Sequence, residues 1–273
     1  EIVDNSIDEA LAGYCKSIKV EIHTDGSLSV EDDGRGIPVA MHPEEKVPTL
    51  ELVLTNLHAG GKFDKGAYQV SGGLNGVGSS VVNALSDLMT VQVALNKELY
   101  EQSFSRGIPQ GPVAKVGAVA NRRGTSVTFH PDAEIFGTQT FKPARLLKMV
   151  RSKAYLFAGV EIRWKCAASL VSEDVPAEAV FQFPGGLADH LAEQVGGREC
   201  VTAQPFTGLQ EFPMVDGLGQ GRAEWAIAWP LYSDGATSWY CNTVPTPDGG
   251  THEQGLRTAL TRGLRAFGEL VGA

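Results

Sequence analysis

Apolar positions recur with a helical period over the first fourteen residues. Val3, Ile7, Ala10, Leu11 and Tyr14 fall on one stripe, and Gly13 supplies a stop. The period then changes to strict alternation. "SIKVEIHTDGSLSVEDDG", Ser17 to Gly34, reads as two strands joined by Asp25-Gly26, a strong short-range hairpin signal. Pro48 opens a second helical stretch, "PTLELVLTNLHA". From His58 to Ser71 no period survives and Gly60, Gly61 and Gly66 interrupt the chain. That predicts a long mobile loop of the kind that often carries function. A helix beginning near Gly76 follows, then strands over "MTVQVAL", "LYEQSFS" and "GTSVTFH". "FKPARLLKMVRSKAYLFAG" predicts a helix and "VEIRWKC" a further strand. Around Phe183-Pro184-Gly185-Gly186 the pattern restarts with a helix ("LADHLAEQV"), two strands ("AEWAIAWPL", "TSWYCNTVP") and a long helix ("THEQGLRTALTRGLRAFGEL"). A domain boundary is expected near residue 184, and Gly196 to Arg222 carries no readable pattern.

Composition narrows the class. The 273 residues suffice for two modest domains, and 42% apolar with 20% charged residues is ordinary for a soluble globular protein. A net charge of −9 argues against a bulk electrostatic grip on DNA by this segment. It leaves open a basic patch, or DNA binding by another part of a larger protein. Cys15, Cys166, Cys200 and Cys241 form no CxxC pair, so reduced thiols in a cytoplasmic protein are expected. The six histidines show no HxxxH or HExxH spacing, which speaks against a dedicated zinc site. No apolar run reaches the roughly 20 residues that span a bilayer, so no membrane partner is expected. The chain does not begin with Met and already reads as helix, so it is expected to be a fragment of something longer.

Three short stretches offer chemistry. On the first helix Glu1, Asn5 and Asp8 are spaced i, i+4, i+7 and share one polar side, where a carboxylate and a carboxamide could serve as base and metal ligand. A solvated helix face explains the same pattern. "EDDGRGIP" follows a strand: Asp32 could accept a hydrogen bond from an exocyclic amine, and Gly36 would let a flat ring approach the backbone. A plain turn explains it equally well. "VSGGLNGVGSSVVNALS" sets Gly72, Gly73, Gly76 and Gly78 before an apolar helix, which suggests an anion held on backbone N–H groups. It is neither GxxxxGK[ST] nor GxGxxG, because Gly73 to Gly78 reads GxxGxG.

Taken together, Glu-x-x-x-Asn on a helix, DxGxG after a strand, GxxGxG opening a helix and Gly124-Thr125 in a strand resemble the GHKL ATPase superfamily. "EIVDNSIDEALAG", "DDGRGIPV", "LHAGGKF", "SGGLNGVGSSVVNALS" and "PTPDGGTHEQGLRTALTR" are similar to the B subunits of bacterial type IIA DNA topoisomerases over essentially the whole chain, leaning toward the topoisomerase IV type over gyrase. The resemblance implies an α+β fold. A Bergerat-type α/β sandwich ATPase domain over 1–183, without its N-terminal arm, would be followed by part of a smaller α/β transducer domain over 184–273. That second part would end before its lysine loop.

The resemblance also implies roles. Glu1 would be the general base for the attacking water, and Asn5 would coordinate Mg²⁺ bridging the phosphates of ATP. Asp32 would accept from the adenine amine with Thr125 assisting through water, Gly36 nearby, and Pro38 and Arg35 at the pocket, Arg35 paired with Glu9. Lys62 would reach phosphate from a lid, and Gly73, Leu74, Asn75, Gly76, Val77 and Gly78 would cradle the phosphates. The implied partners are a second copy of the chain, the topoisomerase A subunit and double-stranded DNA, with aminocoumarin-type inhibitors in the ATP pocket and a bacterial cytoplasmic, nucleoid-associated location. Asn75 and Gln69 depart from the residues common in relatives, and tuning of nucleotide or inhibitor contacts is expected from them.

Other readings stay open. A heat-shock chaperone or mismatch-repair ATPase shares the superfamily, a nucleotide-gated dimerisation module would need binding without turnover, and a Rossmann dehydrogenase would bind NAD. Plainer expectations attach to the remaining features. His58 is expected as a structural hydrogen bonder, and Lys142, Arg145, Lys148, Arg151 and Lys153 as a solvated helix face, with a DNA contact as the alternative. Trp164, Trp225, Trp229 and Trp239 are expected in the core.

Overall fold

Helix α1 (Ile2–Leu11) buries Ile2, Val3 and Ile7 and ends where Gly13, at φ +84°, donates its N–H to Ala10 at 2.9 Å. The structure is a computed structural model that describes residues 1–57, 78–215, 219–232 and 234–272. The expected stripe on α1 stops short: Leu11 and Tyr14 are exposed, and the Tyr14 ring instead carries the Arg35 guanidinium at 3.8 Å. The hairpin is made by β1 (Ser17–Ile22) and β2 (Leu28–Asp32). Its turn is longer than two residues, because Asp25 Oδ1 accepts from both Ser27 N (2.9 Å) and Ser27 Oγ (2.7 Å) while Gly26 takes φ +87°.

After α2 (Thr49–Thr55) and α3 (Gly78–Ala84) come β3 (Ser86–Leu95), β4 (Glu98–Ser105), β5 (Ile108–Pro109), β6 (Ala114–Ala118) and β7 (Gly124–Pro131). Then follow α4 (Ala133–Phe136), α5 (Pro143–Leu156), β8 (Glu161–Cys166), β9 (Glu178–Phe181), α6 (Leu187–Val195), β10 (Phe206–Val215) and β11 (Gly219–Ile227). Among the described residues the main sheet has nine strands in the order β5-β4-β3-β7-β2-β1-β8-β9, with β6 also on β4. Its neighbours are antiparallel except for the parallel pair β1–β8.

Period-two alternation sorts this sheet into two faces. Ile18, Val20, Val30, Val91, Ile162 and Trp164 point inward and are almost fully buried beneath α1, α3 and α5. Lys19, Glu21, Gln92, Arg163 and Lys165 point outward, with Lys19 Nζ 2.6 Å from Glu21. The result is a two-layer α/β sandwich.

Several expectations are corrected. Trp164 lies in the core, whereas Trp225, Trp229 and Trp239 are only half-buried. The basic run is not wholly solvated: Lys153 is 6% exposed and sits 2.7 Å from Asp4. The unreadable stretch contains β10, paired with β11; its Phe206, Leu209 and Phe212 do not alternate, and a register shift follows Phe212. "TSWYCNTVP" makes only the short pair β12 (Tyr240–Cys241) and β13 (Val244–Pro245). These precede α7 (Thr251–Val271). By contacts the chain divides into two units, Glu1–Leu231 and Tyr232–Ala273. His58, the expected loop to Ser71 and the helix start at Gly76 lie outside the described residues.

Candidate active site

The last residue of β2 breaks the alternation rule. Asp32 is in register with Ile18 on the inward side, so a carboxylate stands where the pattern calls for an apolar residue. Its oxygens are partnered. Oδ1 accepts from Gly34 N at 2.9 Å and Thr125 N at 3.2 Å, and Oδ2 accepts from Ser6 Oγ at 3.0 Å. Burial pushes the Asp32 carboxyl above its ordinary range, with Glu9 adding like charge, while the three donors oppose the shift.

Glycines make this corner possible. A Cβ on Gly34 would come within 2.9 Å of Asp32 Oδ1, and one on Gly124, at φ +106°, would collide with the Asp32 carbonyl. β7 can therefore begin directly against the end of β2 and present Thr125, whose Oγ1 accepts from Ile37 N at 3.2 Å. Gly36 turns the chain at φ +83°, and a Cβ there would sit 3.0 Å from Val93. Arg35 forks onto Glu9 of α1, with Nε 3.1 Å from Oε2 and Nη2 2.7 Å from Oε1. Pro38 follows, exposed.

Across α1 a second group assembles. The Glu1 carboxylate occupies the space a Cβ on Gly78 would need, so α3 approaches α1 through a glycine. Asn5 Nδ2 donates to Ser79 Oγ at 2.5 Å, so the carboxamide meets the first turn of α3. One carboxamide oxygen, with phosphates and water supplying the rest, is a donor set that fits Mg²⁺. Among the described residues no cluster of three or more His, Cys, Asp or Glu forms a metal cage.

The structure thus brings Glu1, Asn5 and Gly78 together at one end of α1, and Asp32, Gly36 and Thr125 together at the end of β2. Ser6 of α1 joins the two groups. Lys62, Gly73, Leu74, Asn75, Gly76 and Val77 lie outside the described residues. Two residues were missed from the sequence, Ser6 and Ser79, while Gly34 stands in the DxGxG motif with no role assigned to it. Ser6 left a signal, a hydroxyl beside Ile7 on the buried side of the helix, 3% exposed.

Two family models match the chain. Residues 1–135 match the model of the histidine kinase-, DNA gyrase B- and HSP90-like ATPases, and residues 186–272 match that of DNA gyrase B. The whole chain is 52% identical to the DNA topoisomerase 4 B subunit of Bartonella bacilliformis, covering 39% of it, and 52% identical to that of Caulobacter vibrioides, also covering 39%. The corresponding Salmonella typhimurium protein is 43% identical over 98% of this chain and 41% of its own length. The chain therefore spans about two fifths of the length of these relatives. The solved 43K ATPase domain of Thermus thermophilus gyrase B, in complex with an aminocoumarin, superposes with a TM-score of 0.78 at 34% identity, over 99% of this chain and 67% of that one. The sandwich is the GHKL fold, and the chain belongs to the B-subunit family of bacterial type IIA DNA topoisomerases.

Proposed function

We propose that the chain binds ATP with Mg²⁺ and hydrolyses it, as the gate of a type IIA topoisomerase. The observation that carries this reading is the inward Asp32 carboxylate. Two carboxylate oxygens offer about four lone-pair sites. Ser6, Gly34 and Thr125 engage Asp32 three times, which leaves one acceptor site for the exocyclic amine of adenine. Thr125 assists through water, Gly36 leaves the ring room against the backbone, and Pro38 and the Arg35–Glu9 fork border the mouth.

Glu1 would take a proton from the water that attacks the γ-phosphate. Asn5 would hold the Mg²⁺, which when bound neutralises charge on the phosphates. Lys62 and the backbone from Gly73 to Gly78 complete the phosphate cradle in this reading. Catalysis is then positioning and electrostatics applied to phosphoryl transfer, with water as acceptor.

At the level of the whole protein, ATP closes two copies around a DNA duplex that is passed on with the A subunit, in the bacterial cytoplasm at the nucleoid. Relatives named as topoisomerase 4 B subunits favour that enzyme over gyrase. The aminocoumarin complex of the Thermus domain supports the same pocket as an inhibitor site. The family matches over 1–135 and 186–272 support an ATPase domain to residue 183 and a transducer domain from 184. The deciding variant is Glu1→Gln in the full-length protein. It is expected to bind a nonhydrolysable ATP analogue within about threefold of wild type while hydrolysis falls at least about a hundredfold. Normal turnover in that variant would remove Glu1 from the role of base.

A further inference from the structure

Resting on that reading, we infer that Lys153 is a positioning residue for hydrolysis, acting on Glu1 and Asn5 through Asp4. Lys153 is 6% exposed, and its Nζ lies 2.7 Å from Asp4 Oδ1. It projects from α5, where Val150 and Ala154 are fully buried and hold the helix onto β8. The neighbouring Arg151 is tied to Glu193 of α6 at 2.8 Å. The ammonium thus stands on a firmly held element and grips α1 at its first turn.

Stability is a poor explanation for such a pair. Burying two charges costs about as much as their attraction returns, and well-packed apolar residues in their place commonly do as well or better. What a short ion pair between two helices supplies is a fixed point of contact, here Lys153 Nζ held 2.7 Å from Asp4 Oδ1. Asp4 lies three residues after Glu1 and one before Asn5, so it sets the roll of the helix that carries both. Side-chain tips lie about 5–6 Å from a helix axis, so a roll of about 10° moves them by about 1 Å. A misplacement of that size can cost about a hundredfold in rate.

Three other polar ties of α1, Ser6 to Asp32, Asn5 to Ser79 and Glu9 to Arg35, are made by groups at the proposed nucleotide site itself. The tie from Asp4 to Lys153 stands outside that set and leads to a different helix. It can hold α1 in place while the site groups exchange partners with nucleotide. Adenine recognition at Asp32 does not depend on this tie, so its loss should spare affinity and reduce turnover.

The test is a set of variants in the full-length protein: Lys153→Met, Asp4→Asn, the double variant and Glu1→Gln. For each, kcat and KM for ATP, the Kd of a nonhydrolysable ATP analogue, and Tm are measured. Lys153→Met is expected to lower kcat at least tenfold with KM and Kd within threefold, and to lower Tm. The double variant, which removes both charges, is expected to regain the wild-type Tm while kcat stays at least fivefold low. Recovery of kcat together with Tm would make the pair purely structural and overturn the inference, as would a loss of affinity equal to the loss of kcat. Unchanged kcat in Lys153→Met with an inactive Glu1→Gln would overturn this inference alone. A normally active Glu1→Gln would overturn the reading it rests on.

Discussion

The main sheet and the β10–β11 ribbon treat their apolar residues in opposite ways. In the sheet, Val20, Val91, Ile162 and Trp164 are all at most 2% exposed, and α1, α3 and α5 close over them. In the ribbon, Phe206, Leu209 and Phe212 remain 44%, 50% and 49% exposed. Helix α7, in its own unit, is similar, with Leu264, Phe267 and Leu270 exposed. The sheet closes its core with its own chain, so a polar residue inside it is conspicuous and needs partners. Asp32 is such a residue. The ribbon has no comparable contrast between inside and outside, and no site can be read from it by the same logic.

Removing one aromatic side chain from each of the two regions should break this comparison open most widely. Trp164→Ala takes a 2%-exposed indole from beneath α5, and its Nε1, which donates to the Pro176 carbonyl at 3.1 Å, goes with it. The expected cost is about 3–5 kcal/mol. Phe212→Ala removes a half-exposed ring and should cost only about 1 kcal/mol. Urea unfolding midpoints of the two variants decide the matter. Equal losses would mean that the ribbon is as tightly packed as the sheet.

Within the sheet, the polar exception can be tested against its apolar surroundings. Asp32→Ala leaves the Ser6, Gly34 and Thr125 donors without their acceptor and removes the proposed adenine contact. The affinity for an ATP analogue should fall at least about a hundredfold, about 2.7 kcal/mol. Calorimetric titration measures this directly. An affinity near wild type would move adenine recognition away from the end of β2.

What the sequence made legible follows the same division. Alternation in "SIKVEI", "LSVED" and "MTVQVAL" gave the sheet, because one buried face imposes a two-residue period. Motif wording names Glu1, Asn5, Asp32, Gly36 and Thr125 as candidates, and the structure groups them at the start of α1 and the end of β2. Ser6 escaped because a small hydroxyl on a helix reads as surface until its partner across 26 residues is known. Lys153 escaped for a related reason: a basic run at helical spacing looks solvated, and only packing against α1 reveals a buried ammonium. β10 escaped because its apolar residues recur every third position with neither face fully shut away. The short β5 and β9 strands carry too few residues to show a period at all.

The smallest expected effect lies at the seam between the two regions. Helix α6 packs on α5 and on β11, and His190 of α6 stacks on Tyr155 of α5 with ring centroids 3.7 Å apart and planes 12° apart. Phe183 meets the same imidazole edge-on at 5.8 Å. Burial lowers the His190 pKa below the ordinary 6.5, the nearby Arg151 lowers it further, and Glu193 opposes the shift. The folded chain then binds fewer protons at this ring than the unfolded chain does. The stacked contact is therefore at full strength above the unfolded value and weakens as pH falls through it. Because the ring is only half-buried, water screens much of the effect. Between about pH 7.5 and 5.5 the wild-type Tm should fall relative to His190→Gln by only about 1–2 °C. Parallel Tm profiles for the two proteins would mean that the imidazole titrates as if in water, and the seam would then be looser than the stacking of His190 on Tyr155 implies.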